Sequence, residues 1–432
     1  MITKKVIFST LILILILSSF ISCTTSNDED SEGKESGSDP IKITLLNSKG
    51  EIQKALEEGA KLYSEKNKNV TLEINPAPAG QSPFEKITAL YAAGSAPALQ
   101  LLDGGDVVKL KDKYLDLSNE KWINDLLENS VDNFVFDGKT VAFPMTVEGY
   151  GMIYNKKVVG DDFDVSKLST VDDLEKTLKE LGDKSLVIPS MDWSLGAHFF
   201  AIVYSAQGKD YESSDKFFDD LKAGKVDLTK DDAFNGLMDS FDVMKKYNVA
   251  KKDPLPVTYE KGPEMIGKEE IGLWFMGNWS WPQIESFSEG NTDYGFAPVP
   301  ISNNKDDYGN SQIVAGVTKY VSLDKEQNSK DQQDEAKKFL DWLVYDEEGQ
   351  DLIVNKCNIV PAFTNIELEP IDPLGKSLKQ YIDNENTLLF MNLLPPDHWK
   401  NVGASMQKYL AGKINRKELA KEVEEYWKNV KE

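Results

Sequence analysis

The chain has 432 residues, of which 72 are Asp or Glu and 49 are Lys or Arg, giving a formal net charge of −23 at pH 7. A protein this acidic does not hold nucleic acid or an anionic lipid surface through a basic face. Its two cysteines are too few for a disulfide-built fold, and its length exceeds what one hydrophobic core usually serves, so two lobes are expected.

Lys4 and Lys5 precede an uncharged run from Val6 to Ile21, and small Ser22 precedes Cys23. A positive start, an apolar middle and a small residue at the processing site describe a secretory signal peptide over residues 1–22. The apolar run is also at the short edge of a spanning helix, so an uncleaved anchor is the alternative. Phe20-Ile21-Ser22-Cys23-Thr24 resembles the lipobox of bacterial lipoproteins, with Phe20 where Leu is usual. That resemblance implies a lipid on Cys23 and a protein tethered outside the cytoplasmic membrane, on its periplasmic or cell-surface face. Loss of residues 1–22 takes the charge from −23 to −25. Residues 23–39 contain six acidic residues, one lysine and no large apolar side chain after the cysteine. Such a segment cannot bury enough surface to offset its ordering entropy, and a disordered tether is expected. Cys357 then has no partner and is expected to be a small core residue.

From Ile41 the pattern changes. Ile41–Leu46, Val70–Ile74 and Leu99–Leu102 read as strands, with Glu51–Lys66 and Phe84–Ala93 as the helices between them. This βαβαβ start predicts a lobe with a mostly parallel sheet. Asp137-Gly138 between Phe134–Phe136 and Thr140–Phe143 predicts a hairpin. Helical faces follow at Val171/Leu174/Leu178/Leu181, at Phe234/Leu237/Met238/Phe241 and at Ala336/Phe339/Leu340/Leu343/Val344. The last two helices are expected over Val402–Ala411 and Arg416–Lys428. The helical stripes are read as core.

Signals for an enzyme are weak. His198 and His398 lie in no metal-ligand spacing, and no nucleophile elbow, P-loop or dinucleotide fingerprint occurs. No metal or cofactor is expected. Each histidine is read as a hydrogen-bonded structural residue or a ligand contact rather than a general base. The tryptophans say more. Gly272–Ile284 reads as a strand followed by a Gly-Asn turn and a helix start. Side chains at such junctions lie at the carboxyl edge of a sheet, where ligands bind. Trp274, inside the strand, is read as core. Trp279, past the turn, is read as a ligand contact, and Trp193, after the strand Leu186–Ile188, holds the same kind of place. Asn278 beside Trp279 and Asp192 beside Trp193 provide the pairing that sugars need: a ring for the C–H face and a polar group for hydroxyls.

Gly138–Pro144 running into Glu148–Lys156 resembles a segment of the family 1 extracellular solute-binding proteins, the maltose-binding-like sugar receptors of ABC importers. Gly277–Ile284, Tyr294–Pro300, the helix Glu335–Tyr345 and Ile359-Val360-Pro361 resemble further family segments, in order. The resemblance implies an α/β fold of two lobes, each a mostly parallel sheet flanked by helices, with ligand in the cleft between them. It implies a first lobe over 40–148 and 294–350 and a second over 149–293 and 351–432, with crossings near Val147–Tyr150, near Tyr294–Pro300 and after the helix Glu335–Tyr345. Carried over by position, it points to Asn47, Ser48, Lys49, Asp103, Glu148, Asp192, Trp193, Asn278, Trp279 and Trp399 as ligand-binding residues. The expected function is capture of a small carbohydrate by hinge closure and delivery to an ABC permease, by a monomer that binds no nucleic acid. The alternatives are a same-fold receptor for a polyol, peptide or phosphodiester, a secreted glycosidase with two carboxylates facing one bond, and an adhesin with no small-molecule response.

Overall fold

A computed structural model describes residues 40–77, 82–127 and 130–430. The signal peptide, Cys23 and the tether fall outside the described residues. From Pro40 onward the chain packs as one unit, a two-lobed α/β structure organised on one long sheet.

The first lobe begins as the periodicity predicts. β1 (Ile41–Asn47) pairs in parallel with β2 (Val70–Pro76) and with β3 (Leu99–Asp103). The connecting helix Gln53–Lys66 buries Leu56, Ala60 and Tyr63, the face that its spacing marks out. The predicted hairpin is present as β4 (Val135–Phe136) and β5 (Lys139–Thr140). Asp137 and Gly138 both take positive φ there, the geometry of a two-residue hairpin turn.

Two strands join the lobes. β6 (Phe143–Asn155) is 13 residues long and buried almost throughout, so its sequence shows no alternation. In the second lobe, β7 (Leu186–Val187) lies parallel to β8 (Leu273–Gly277), and β8 lies antiparallel to β6. β9 (Tyr294–Ala297) pairs antiparallel with Met152–Asn155 of β6. β10 (Ile313–Leu323), which sequence periodicity missed, runs antiparallel to both β6 and β3 and closes the sheet in the order β2-β1-β3-β10-β6-β8-β7. β11 (Thr387–Leu389) adds to β10 in parallel. The chain therefore leaves the first lobe along β6 and comes back along β10. Of Tyr294–Pro300, expected to make the return, Tyr294–Ala297 stays paired with the second-lobe end of β6.

The helix Lys330–Tyr345 packs Ala336, Phe339, Leu340, Leu343 and Val344 into the apolar cluster that holds Ile43 and Leu45 of β1. Its start is fixed by a capping box, in which the Ser329 side chain accepts from Gln332 N and Gln332 reaches back to Ser329 N. Leu352, Ile353, Cys357 and Phe363 share that cluster, so residues on both sides of the expected 350/351 boundary pack together. Cys357 is buried, as expected, and burial pushes its thiol up to about 12. The helices His398–Leu410 and Arg416–Asn429 pack with Leu174, Leu178, Phe199 and Phe241 in a second cluster.

Candidate functional site

The loop after β1 is built by Asn47. Its Oδ1 accepts from Lys49 N at 2.9 Å, and its Nδ2 donates to Lys49 O at 2.9 Å and to Gln53 Oε1 at 2.8 Å. Asn47 is itself buried and shapes the loop, while Ser48 has a buried hydroxyl with no partner among the described residues. The loop thereby aims Lys49 across to the joining strands. Lys49 Nζ donates to Glu51 Oε1 at 2.6 Å and to Glu148 Oε1 on β6. Glu148 Oε2 accepts from Thr318 Oγ1 of β10 at 2.7 Å, and Thr318 lies 3.0 Å from Thr146 Oγ1. Thr318 falls where the β6–β10 register slips between Val317 and Lys319, a bulge of the kind that re-aims a side chain beside a site. Burial alone would lower the Lys49 pKa, but the Glu148 and Glu51 carboxylates outweigh it and hold the ammonium above the ordinary lysine range.

This network forms one end of a cavity of about 1100 Å³ with walls from both lobes. Lys49, Asp103, Glu148, Trp193, Trp279 and Trp399 all line it. Asp103 receives Lys319 Nζ at 2.7 Å. Asn278 lies in a narrow pocket beside Trp279, where its Oδ1 accepts from Gly149 N at 3.0 Å and ties the end of β8 to β6. Asn47, Ser48 and Asp192 do not line the cavity. The Asp192 Oδ1 instead accepts from the adjacent Trp193 N at 2.9 Å.

The aromatic wall has its own logic. Ser194–Phe199 forms a π-helical turn closed by Phe200 N donating to Leu195 O at 3.0 Å. In an α-helix, positions 193 and 198 would point to different faces; the wider turn brings both to the cavity. The ring of His198 lies 4.8 Å from that of Tyr150, 5.5 Å from Trp193 and 5.0 Å from Trp279. Burial among these rings pushes His198 down to about 3, so it is neutral. Among the described residues it has no hydrogen-bond partner, which leaves both ring nitrogens to a ligand or water. Trp279 lies over Gly277, where a Cβ would come within 2.0 Å of the indole. Only glycine admits the ring there.

Sequence reasoning left His198 between structure and ligand contact and missed Thr318, Lys319 and Phe390, which also line the cavity. The two histidines part company in the structure. His398 is fully buried, with Nε2 2.9 Å from Tyr204 Oη, which itself accepts from Trp427 Nε1 at 2.9 Å. Trp274 is core, as its place inside a strand suggested.

A two-lobed α/β protein with paired charges at one end of an interlobe cavity and rings along its wall has the build of a small-molecule receptor. Residues 59–381 match the family described as bacterial extracellular solute-binding protein, and the chain belongs to that family. It is 23% identical over 241 residues to the maltotriose-binding protein of Pyrococcus abyssi (strain GE5 / Orsay), a match covering 54% of this chain and 47% of that protein. The chain thus spans about half the length of that relative. Its fold is similar to that of the solute-binding protein RafE solved in complex with raffinose, with a TM-score of 0.72 and 16% identity over 90% of this chain and 99% of that one. A family 1 extracellular solute-binding protein from Bifidobacterium longum subsp. infantis has a TM-score of 0.64 and 22% identity over 91% of this chain and 100% of its own.

Proposed function

We propose that the chain is the extracytoplasmic receptor of an ABC importer, lipid-anchored through Cys23, that captures an oligosaccharide between its lobes and hands it to a membrane permease. The observation that carries this reading is the cavity wall. Trp193, Trp279 and Trp399 offer ring faces, while Glu148 and neutral His198 offer hydrogen-bonding atoms beside them. Sugars present an apolar C–H face and a rim of hydroxyls, and this alternation matches both. The named ligands of the relatives, maltotriose and raffinose, support the same class.

The proposed ligand contacts are Lys49, Asp103, Glu148, Trp193, Trp279 and Trp399 directly, with Asn47, Ser48, Asp192 and Asn278 as supports of the loops that carry them. Contacts from both lobes would favour a closed state over an open one, which is how a ligand drives hinge motion. Binding rather than hydrolysis is supported by the carboxylates at the Lys49 end. Glu148 and Glu51 share the ammonium of Lys49 instead of facing one another across the open cavity as a pair of free acids would.

The test is a thermal-shift screen against a sugar panel. A ligand that binds only the folded state stabilises it by about 2.7 kcal/mol at a hundredfold excess over Kd, so one sugar class should stand out. Chromatography should return that sugar intact. Turnover abolished by changing one carboxylate would make the protein an enzyme and refute the receptor.

A further inference from the structure

The charges lining the cavity specify more than a sugar. Its inner lysines are all engaged by carboxylates of the cavity wall. Lys49 is held by Glu148 and Glu51, Lys319 by Asp103 at 2.7 Å, and Lys109 by Asp106 at 2.8 Å. Lys109 also lies over the Phe84 ring at 4.5 Å. The remaining lining lysine, Lys400, is exposed, as is Glu85, the one lining carboxylate that forms no ion pair among the described residues. The lining acids outnumber the lining lysines.

Helix N-termini are the other common source of attraction for an anion, and three that border the cavity carry a carboxylate, while the short helix start at residues 278–285 beside Trp279 has none in its first turn. The helix Pro83–Ala92 has Glu85 in its first turn, and Gly104–Leu110 starts between Asp103 and Asp106. The helix His398–Leu410 follows Asp397.

Arginine is the side chain best shaped for a carboxylate or phosphate, through two parallel hydrogen bonds. The sequence has one, Arg416. It lies in the last helix, bonded to Asp239 at 2.6 Å and Asp242 at 2.9 Å, and does not line the cavity. Among the described residues, an anionic ligand would find its one unpaired lining lysine, Lys400, at the exposed rim, and would face several fixed carboxylates further in. Its own charge would go uncompensated as the lobes excluded water.

From this pairing we infer that the cleft selects neutral oligosaccharides and rejects acidic or phosphorylated ones, an inference that rests on the receptor reading above. The neutral His198 fits it, offering one donor and one acceptor without charge. Selectivity of this kind works by repulsion as much as attraction: Asp103 and Glu148 accept from sugar hydroxyls and repel a ligand carboxylate.

The test uses the purified full chain in mild detergent, by calorimetric titration. The probes are maltotriose, cellotriose, galactotriose and raffinose, each beside its C6-oxidised, carboxylate form. The expected result is binding of a neutral trisaccharide with its oxidised partner weaker by about a hundredfold or more, the scale of an uncompensated buried charge. Asp103→Asn, which frees Lys319, should narrow that gap by about threefold, the scale of one partly exposed charge pair. An oxidised form binding as tightly as its parent would overturn the inference and leave the receptor standing. So would a gap unchanged by Asp103→Asn, since pairing would then not be its cause. Failure of every probe, neutral and acidic, would overturn the receptor reading and this inference with it.

Discussion

Lys49→Met should be far more damaging to the ligand-free protein than Glu148→Gln, although the two residues form one ion pair. Lys49 is 6% exposed and Glu148 is 8% exposed. Removing the lysine leaves the Glu148 carboxylate facing Glu51 with, among the described residues, only Thr318 donating to it, an uncompensated buried charge that costs about 3–5 kcal/mol. Glu148→Gln leaves less behind. The amide oxygen still accepts from Thr318, and Lys49 keeps Glu51 at 2.6 Å, so the loss is about 1 kcal/mol, the scale of one hydrogen bond. The double variant removes the buried charge and should be more stable than Lys49→Met alone, with a coupling of about 2 kcal/mol. Urea denaturation of the four proteins without sugar measures this, provided the m values agree. Equal losses for the two single variants, or a double variant at their sum, would refute the claim that a buried charge is what Lys49 neutralises.

Trp279→Ala and Trp193→Ala should each weaken sugar binding by about 2 kcal/mol or more, the cost of removing an anchoring aromatic, with little change in thermal stability; losses of stability and affinity in step would make both residues core. Gly277→Ala puts a Cβ 2.0 Å from the Trp279 ring, so it should weaken binding and shift tryptophan fluorescence, and an unchanged emission spectrum would count against that packing. His398 is pushed down to about 3 by burial but takes a proton near 6.5 once unfolded. The unfolded chain therefore binds the extra proton between those values, and stability is lost as pH falls below 6.5. Between pH 7 and 5 His398 should cost the wild type about 2 kcal/mol that a His398→Gln variant does not lose, as read from denaturation curves at both pH values. Mass spectrometry of the mature chain should find a lipid on an N-terminal Cys23, and Cys23→Ala should abolish both lipidation and signal removal; an unlipidated mature N-terminus elsewhere would refute the anchor.

Much of the fold was legible in the sequence because it is local. The strands β1 to β3 and the helices between them follow from alternation and from apolar spacing, and Asp137-Gly138 marks its own turn through two positive φ angles. Trp279 could be placed at a cavity because a strand, a Gly-Asn turn and a helix start put it at a sheet edge. What the sequence could not express is anything that depends on distant chain segments meeting. β10 has no clean periodicity, since it is buried between β3 and β6 and takes its register from both. Thr318 reaches Glu148 only through a bulge in that pairing, and no local signal announces a bulge. His198 joins Trp193 because a π-helical turn replaces the α-helical period that sequence reading assumes. The charge state of the cleft is also a tertiary matter: the sequence counts lysines and acids, but only the folded chain determines that Lys49, Lys109 and Lys319 are already paired. Local propensity set the elements; non-local pairing set the site.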